Sequence, residues 1–544
     1  MSRSSNNLVH AVQGMLGVVV LLLSACVGNS DSSSSSPSPS SSQHTADAPP
    51  PPPKTPDTVP PPLPPESVPP QAPPVVPAPE APPVVLPPPI QARIGQWSAV
   101  MASVPIVQVH LHLLPTGKVL SWGGPDSEIP NTYIWDPSAD TFTGVSPPSE
   151  LFCSGHSFLP DGRLLVAGGH IMNTLGPNGT GLNGLGLPNT NIFDPATGLW
   201  EAQPKMAKGR WYPTNTTLPS GEVLTVAGTD ETGANVPIPE IWNGKRWRPL
   251  TTAVLGLPYY PRMFVAPDGR IFYAGEGQQG LYLDTTGTGS WTNGPMSNYG
   301  PRDYGSAVMY EPGKILYVGG GDPPTNTAEI IDLNQANPTW SYTGSMTSAR
   351  RQLNATLLPT GDVLVTGGTS GSGFNDLAGA VRTAELWHPE TGTWTELSSS
   401  TVARIYHGTA LLLTDGRVLY TGSGDGGGSP NEVSYEVYSP PYLFNGARPT
   451  ITDALPSHVS YGKTQLVKTP DGAKIAKATL IALGSVTHAF DQNTRLVPLV
   501  FSLEAKGVAI TLPDSRTVAP PGPYMLFLVN TKGVPSEGRI TLLN

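Results

Sequence analysis

The sequence predicts an all-β protein, a seven-bladed β-propeller followed by an immunoglobulin-like β-sandwich. Three observations predict it. One hairpin phrase recurs seven times between residues 107 and 440. The array begins and ends in mid-repeat. The segment 441–544 then alternates apolar and polar residues between turn signals.

The chain precedes this body with a different kind of sequence. Arg3 gives a positive start, and Met15 to Leu23 is an apolar run too short to span a bilayer but suited to a signal-peptide core. It ends in Leu23-Ser24-Ala25-Cys26, which resembles the bacterial lipobox, whose cysteine is acylated and becomes the mature N-terminus. The alternative is an ordinary export signal with an incidental cysteine. Residues 1–26 are therefore expected to be a lipoprotein-type signal, with Cys26 as the lipidation site. Val27 stands where Asp would favour inner-membrane retention, so the expected location is exported and lipid-anchored, at the outer membrane or cell surface. Residues 27–92 pass from a Ser tract into a Pro-rich stretch, and 24 of the 64 prolines lie in residues 1–92. Such sequence buries no core and is expected to act as a spacer.

From residue 93 the repeats take over. Leu113-Leu114-Pro115-Thr116-Gly117-Lys118-Val119-Leu120 leads to Gly123-Gly124, and Phe158-Leu159-Pro160-Asp161-Gly162-Arg163-Leu164-Leu165 leads to Gly168-Gly169. The turn glycines are Gly117, Gly162, Gly221, Gly269, Gly313, Gly361 and Gly416, at intervals of 44 to 59 residues, close to the kelch period of about 50. Each phrase reads as two apolar strands around a turn whose glycine accepts positive φ. A second half-repeat ends in an aromatic, as at Trp200, Trp247, Trp291, Trp340 and Trp394, with Phe142 in the first repeat. Two hairpins make a four-stranded blade. The segment Gly95-Gln96-Trp97-Ser98 is expected to complete the seventh blade, because an open array leaves strand edges unpaired. This places the propeller at 93–440 and the sandwich at 441–544.

Composition excludes several functions. A net charge of −10 with 30 basic residues leaves no footprint for nucleic acid. Two cysteines make no disulfide framework and, with one in the lipobox, leave none for covalent dimerisation, so a monomer is expected.

Four segments hold residues able to bind metal or to be oxidised: Phe152-Cys153-Ser154-Gly155, Arg210-Trp211-Tyr212-Pro213, Arg404-Ile405-Tyr406-His407 and Val486-Thr487-His488-Ala489-Phe490. Cys153, Tyr212 and His407 each lie nine residues before the turn glycine of their own hairpin, so rotation about the ring brings them to similar radius and height. Each has an ordinary reading as well. A lone cysteine is usually a small buried hydrophobe, and His488 alone reads as a hydrogen-bonded structural histidine. Adjacent strand residues such as Tyr406 and His407 point to opposite faces, and share a metal only at a strand end or bend. His110 and His112, two apart on one strand face, form a competing pair; His156 and His170 read as supporting groups.

Taken together, these residues resemble the copper-radical oxidases, the family of galactose oxidase and glyoxal oxidase. The likeness runs over about residues 95–544 and includes Pro521-Gly522-Pro523-Tyr524-Met525-Leu526-Phe527 and Gly533-Val534-Pro535-Ser536. Arg210-Trp211-Tyr212-Pro213 is nearer to glyoxal oxidase. The resemblance implies one copper bound by Tyr212, Tyr406, His407 and His488, a Cys153–Tyr212 thioether as radical cofactor, and Tyr406 as the base. It also implies a small aldehyde or primary alcohol as substrate, with O2 returned as H2O2. One departure stands out. Galactose oxidase carries a stacking Trp at the position of Asp230 here, so Trp211 or Tyr304 has to cover the Tyr212 ring, or the radical is less shielded. Two other readings remain at this stage: a non-catalytic kelch propeller that binds glycan or protein at the cell surface, and a copper-binding protein without turnover.

Overall fold

Each hairpin phrase forms the inner half of a blade because its apolar residues must be covered on both faces. In the first blade, strands His110–Leu113 and Val119–Trp122 are buried at every position. Outer strands such as Thr141–Gly144 and Leu199–Gln203 alternate towards solvent. The computed structural model describes residues 89–102, 104–124, 131–171, 184–426, 429–453 and 455–544. The expectations for the signal, Cys26 and most of the spacer lie outside them.

Seven four-stranded antiparallel blades stand around one axis. Their inner strands are His110–Leu113, Gly155–Phe158, Thr214–Thr217, Met263–Val265, Ser306–Glu311, Asn354–Leu357 and Gly408–Leu412. The seventh inner strand packs against the first, so the ring is closed. Closure is covalently staggered: Gln96–Trp97 pairs antiparallel with Ser434–Ser439, supplying the outermost strand of the blade that the C-terminal end of the array begins. Trp97 Nε1 also donates to the Ser398 carbonyl of the sixth blade at 2.8 Å.

The recurrent outer tryptophans have the same purpose. Trp394 Nε1 donates to Gly344 O (2.6 Å), and Trp291 Nε1 to Ala253 O (3.1 Å). Trp247 Nε1 donates to Thr190 Oγ1 (2.9 Å). Each ties its blade to the preceding one, pairing an apolar ring body with one satisfied N–H. Inside the blades, Arg210–Glu240, Arg302–Glu329 and Arg350–Glu385 are fully buried ion pairs between an entry loop and the third strand.

The C-terminal domain is a nearly closed sandwich of seven strands, in the order His458–Val459, Arg539–Leu543, Gly522–Asn530, Ile475–Ala482, Leu496–Glu504, Gly507–Thr511 and Thr464–Lys468. Its core includes Leu480, Val508, Leu526 and Leu528. From it one hairpin, Ser485–Thr487 and Phe490–Asp491, leaves the sandwich and adds to the inner strand of the first blade, with His110 opposite Thr487 and His112 opposite Ser485. The turn of this hairpin, at His488, lies on the propeller axis.

Candidate copper centre

The site begins with a backbone conformation. Cys153, Tyr212, Tyr260, Tyr304, Gln352 and His407 have φ of 61°, 65°, 44°, 53°, 58° and 64°. All six stand nine residues before their turn glycines. Left-handed non-glycine residues cost free energy and persist where the surroundings hold them. At three of the six the holding bonds run between blades. The N–H of Tyr212 donates to Cys153 O (2.9 Å), that of Tyr260 to Tyr212 O (3.0 Å), and that of Gln352 to Tyr304 O (2.8 Å). The turn made at each position lets a side chain leave the strand direction and enter the axis. It also resolves the Tyr406–His407 problem: His407 is left-handed and the strand starts only at Gly408, so both side chains reach one place.

Four donor atoms converge there. Tyr212 Oη and Tyr406 Oη are in direct hydrogen-bond contact. His488 Nε2 lies 3.0 Å from Tyr212 Oη and 2.9 Å from His407 Nε2. The tautomers follow from the outer partners. His407 Nδ1 is 2.6 Å from the Gly424 carbonyl, which only accepts, so the proton is on Nδ1. His488 Nδ1 is 2.6 Å from Thr487 Oγ1, whose hydroxyl proton goes to Val109 O at 3.0 Å, so His488 is also protonated on Nδ1. Two lone pairs then face each other at 2.9 Å with no proton between them. That contact is repulsive for protein alone and is what two cis ligands of a cation look like. Ligands about 2.0 Å from a metal and at right angles stand about 2.8 Å apart. Two imidazoles and two phenols suit copper(II) in tetragonal geometry.

Burial sets the protonation of the four donors. Burial pushes both phenols, Tyr212 and Tyr406, well above the ordinary tyrosine range, so neither ionises without a positive charge beside it. Burial lowers His407 to about 3 and holds His488 well below the usual histidine range, keeping both rings neutral. Burial also raises the Cys153 thiol well above its usual value, and the side chain packs in one cluster with Tyr212, Tyr260, Val107, Val109 and Phe152.

Trp211 lies flat on Tyr212, with ring centroids 3.8 Å apart and planes 11° from parallel. The neighbour in sequence thus covers the ring, while Tyr304 stands edge-on to Tyr406. Asp230 is instead a turn residue, accepting from Thr232 N (2.9 Å), Thr232 Oγ1 (2.6 Å) and Ala234 N (3.1 Å).

His110 and His112 do not form a separate metal pair. Cys153 N–H donates to His110 Nε2 (3.1 Å), whose Nδ1–H donates to His156 Nε2 (3.1 Å), whose Nδ1–H donates to Ser485 Oγ (2.6 Å). His112 Nδ1 meets the same hydroxyl at 2.9 Å. Both ring nitrogens of His110 and of His156 are used in a buried seam joining blades one and two to the sandwich hairpin, while His112 Nε2 is buried without a hydrogen-bond partner. Among the described residues, no group of three or more His, Cys, Asp or Glu is placed to hold a metal. His170 stands edge-on to Phe152 and tilted against Trp211, with ring centroids 6.1 Å from each.

Beside the four donors opens a cavity of about 360 Å³, lined by Tyr212, His488, Tyr259, Tyr260, Arg262, Glu276, Asp303 and Tyr304 among others. Sequence reasoning singled out neither Tyr260 nor Gln352, and took Tyr304 only as a cover for Tyr212. The nine-residue offset, applied to every blade, finds all three.

Known proteins resemble this chain in the same respects. The sequence profile described as glyoxal oxidase N-terminus matches residues 318–442, and that of the galactose oxidase-like early set domain matches 448–542. The galactose oxidase of Gibberella zeae is 29% identical over 496 residues, covering 82% of this chain and 70% of that one. The aldehyde oxidase GLOX of Vitis pseudoreticulata is 30% identical over 452 residues, covering 72% and 81%. A fungal alcohol oxidase solved in complex with copper superposes with a TM-score of 0.73 over 83% of this chain and all of its own; at 24% identity this likeness speaks for the fold.

Proposed function

Because the chain belongs to the galactose oxidase and glyoxal oxidase family, we propose that it is a copper-radical oxidase acting on small aldehydes or primary alcohols with O2 as acceptor. The observation that carries the reading is the pair of facing Nε2 lone pairs beside two buried phenols. A propeller that only binds glycan or protein has no use for this arrangement.

Tyr212, Tyr406, His407 and His488 would hold one copper. When bound, copper supplies one of two one-electron acceptors, the other being the Tyr212 ring, so that a two-electron oxidation is matched to reduction of O2 to H2O2. The protein's own residues prepare this. Gly424 O and Thr487 Oγ1 fix both imidazoles with Nε2 inward, the outer-partner arrangement that metal-binding histidines need. Tyr406 Oη faces the axis and accepts the proton of the substrate –CH2OH or hydrated aldehyde. Cys153 Sγ forms a thioether to the Tyr212 ring with loss of the thiol hydrogen and one ring hydrogen to O2. Sulfur on the ring lowers the potential for removing its electron. Trp211 covers one face of that ring and keeps water from it.

The proposed location follows from the N-terminus alone: export, acylation at Cys26, and a monomeric body held off the membrane by residues 27–92. Labelling with a radioactive fatty acid should mark the wild type and spare Cys26→Ser.

The test of the enzyme is intact mass. Residues 93–544, prepared copper-free and then given Cu(II) in air, should lose two hydrogens, about 2 Da, mapping to a Cys153–Tyr212 peptide. Cys153→Ala and Tyr212→Phe should each abolish the loss. Copper binding at unchanged mass would refute the radical cofactor.

A further inference from the structure

The cavity beside the copper ligands carries one group that the proposed chemistry does not use. Glu276 lies in the loop after strand Ile271–Tyr273 of the fourth blade, and its carboxyl lines the same cavity as Tyr212 and His488. The loop is fixed by its backbone: Glu276 N–H donates to Tyr273 Oη at 3.2 Å, and its carbonyl accepts from Arg302 N at 2.8 Å. The carboxyl itself has no hydrogen-bond or ion-pair partner among the described residues.

The surrounding charges are committed elsewhere. Arg262 gives Nε and Nη2 to Gly305 O, at 3.3 and 2.7 Å, and Nη1 to Tyr260 O. Asp303, which lines the same cavity, is paired with Arg351, which also holds Asp322 at 3.0 Å. Burial raises the Glu276 carboxyl to about 7, Arg262 and Arg351 lower it, and Asp303 raises it further. A half-buried carboxyl without a partner is costly, and a site that keeps one is completed by a ligand that donates to it.

We propose that Glu276 is a specificity-determining residue that accepts a hydrogen bond from a second donor on the substrate, so that the enzyme selects small hydroxylated alcohols and aldehydes over apolar ones of equal size. This rests on the oxidase reading of the same site. The reacting –CH2OH is placed at Tyr406 and Tyr212, and a hydroxyl further along the substrate reaches the wall of the fourth blade. The cavity volume admits a molecule of a few carbons with that span. An alkyl chain in the same place displaces water from Glu276 and returns nothing to it, and a site built to bond a hydroxyl discriminates strongly against the analogue without one.

The experiment compares glycerol with 1-propanol, and glycolaldehyde with acetaldehyde, in the copper-loaded enzyme with intact mass recorded on every preparation. The wild type should favour the hydroxylated member of each pair by about 10- to 100-fold in kcat/KM. Glu276→Leu should lower that member and raise the apolar one, while Glu276→Gln, which keeps shape and an acceptor, should fall between. Both variants should retain the two-hydrogen mass loss, and a thermal scan checks that they fold. Because the carboxyl ionises near 7 among Arg262, Asp303, Arg351, Tyr273 and Tyr304, the hydroxylated substrate's kcat/KM should rise through that pH in the wild type, and this rise should be absent in Glu276→Gln. Equal use of both substrate types, or equal losses on both in Glu276→Leu with the mass loss intact, would overturn the assignment and leave the oxidase standing. Thioether formation with turnover of neither type would do the same. No mass loss and no turnover in the wild type would remove both together.

Discussion

Blades two, three and seven and blades four, five and six present the same backbone to the axis and do different things with it. In the first group the left-handed residues are Cys153, Tyr212 and His407, which lie at the proposed copper position; in the second they are Tyr260 and Tyr304, which line the adjoining cavity, and Gln352, whose side chain bonds Phe374 O instead. The repeat supplies six left-handed positions at one offset, and residue identity divides them into a proposed redox half and a second half that lends the cavity two of its walls. The hairpin Ser485–Asp491 completes the redox half by bringing His488 between the two.

The sharpest way to break this comparison is to remove one phenol from each half. Tyr212→Phe should end thioether formation and lower kcat by about 10³-fold or more, as for loss of an essential group in a catalytic unit. Tyr260→Phe should leave both in place and cost about 1 kcal/mol of stability, the worth of its hydrogen bond to Ser154 O. Mass spectrometry and a peroxide assay read the first, and a denaturant titration the second. Similar losses in both would mean that the two halves are not distinct.

Next in size is the support beneath the positions. Arg210, Arg302 and Arg350 stand two residues before Tyr212, Tyr304 and Gln352, fully buried against Glu240, Glu329 and Glu385. Arg350→Ala strands the Glu385 carboxylate and should cost about 3–5 kcal/mol, read as a fall in denaturation midpoint. The same change at Arg210 should also disorder Tyr212 and slow thioether formation, whereas Arg350→Ala should spare it.

A smaller effect separates cover from cofactor. Trp211→Leu removes a stacked ring worth about 0.5–1.5 kcal/mol and should shorten the lifetime of the oxidised Tyr212, followed by its visible absorption, while Trp211→Phe should retain most of it.

How much of this was legible in the sequence depends on how far apart the partners lie. The turn glycines and their period made seven blades readable, because each hairpin is a local event. Cys153, Tyr212 and His407 were readable through one offset within each repeat. The left-handed backbone behind that offset was not, since at Tyr212, Tyr260 and Gln352 it is held by N–H bonds to the preceding blade, which join residues far apart in the chain. The Arg–Glu pairs span 27 to 35 residues within a repeat and carry no local signal. Trp211 as the cover was one of two options until the ring planes were known. Glu276 was invisible, because the cavity forms only where loops of different blades meet.

The last prediction tests the backbone itself, at a left-handed position that neither supplies one of the four donor atoms nor lines the cavity. Gln352 has φ of 58°, and its Nε2 donates to Phe374 O. Gln352→Asn and Gln352→Val both shorten the side chain and remove that bond, so the loss is common to the two. They differ in tolerance of the left-handed region, which Asn visits readily and a β-branched residue does not. Valine should therefore be less stable than asparagine by about 1–2 kcal/mol in denaturant titration. The mass loss at Cys153–Tyr212 should be unchanged in both. If the two variants were equally stable, residue 352 would not need its turn, and the symmetry linking the two groups of blades would be a coincidence of side chains. A gap of the expected size would mean that the ring imposes the conformation on blades two to seven alike, leaving the proposed copper ligands to be selected within it.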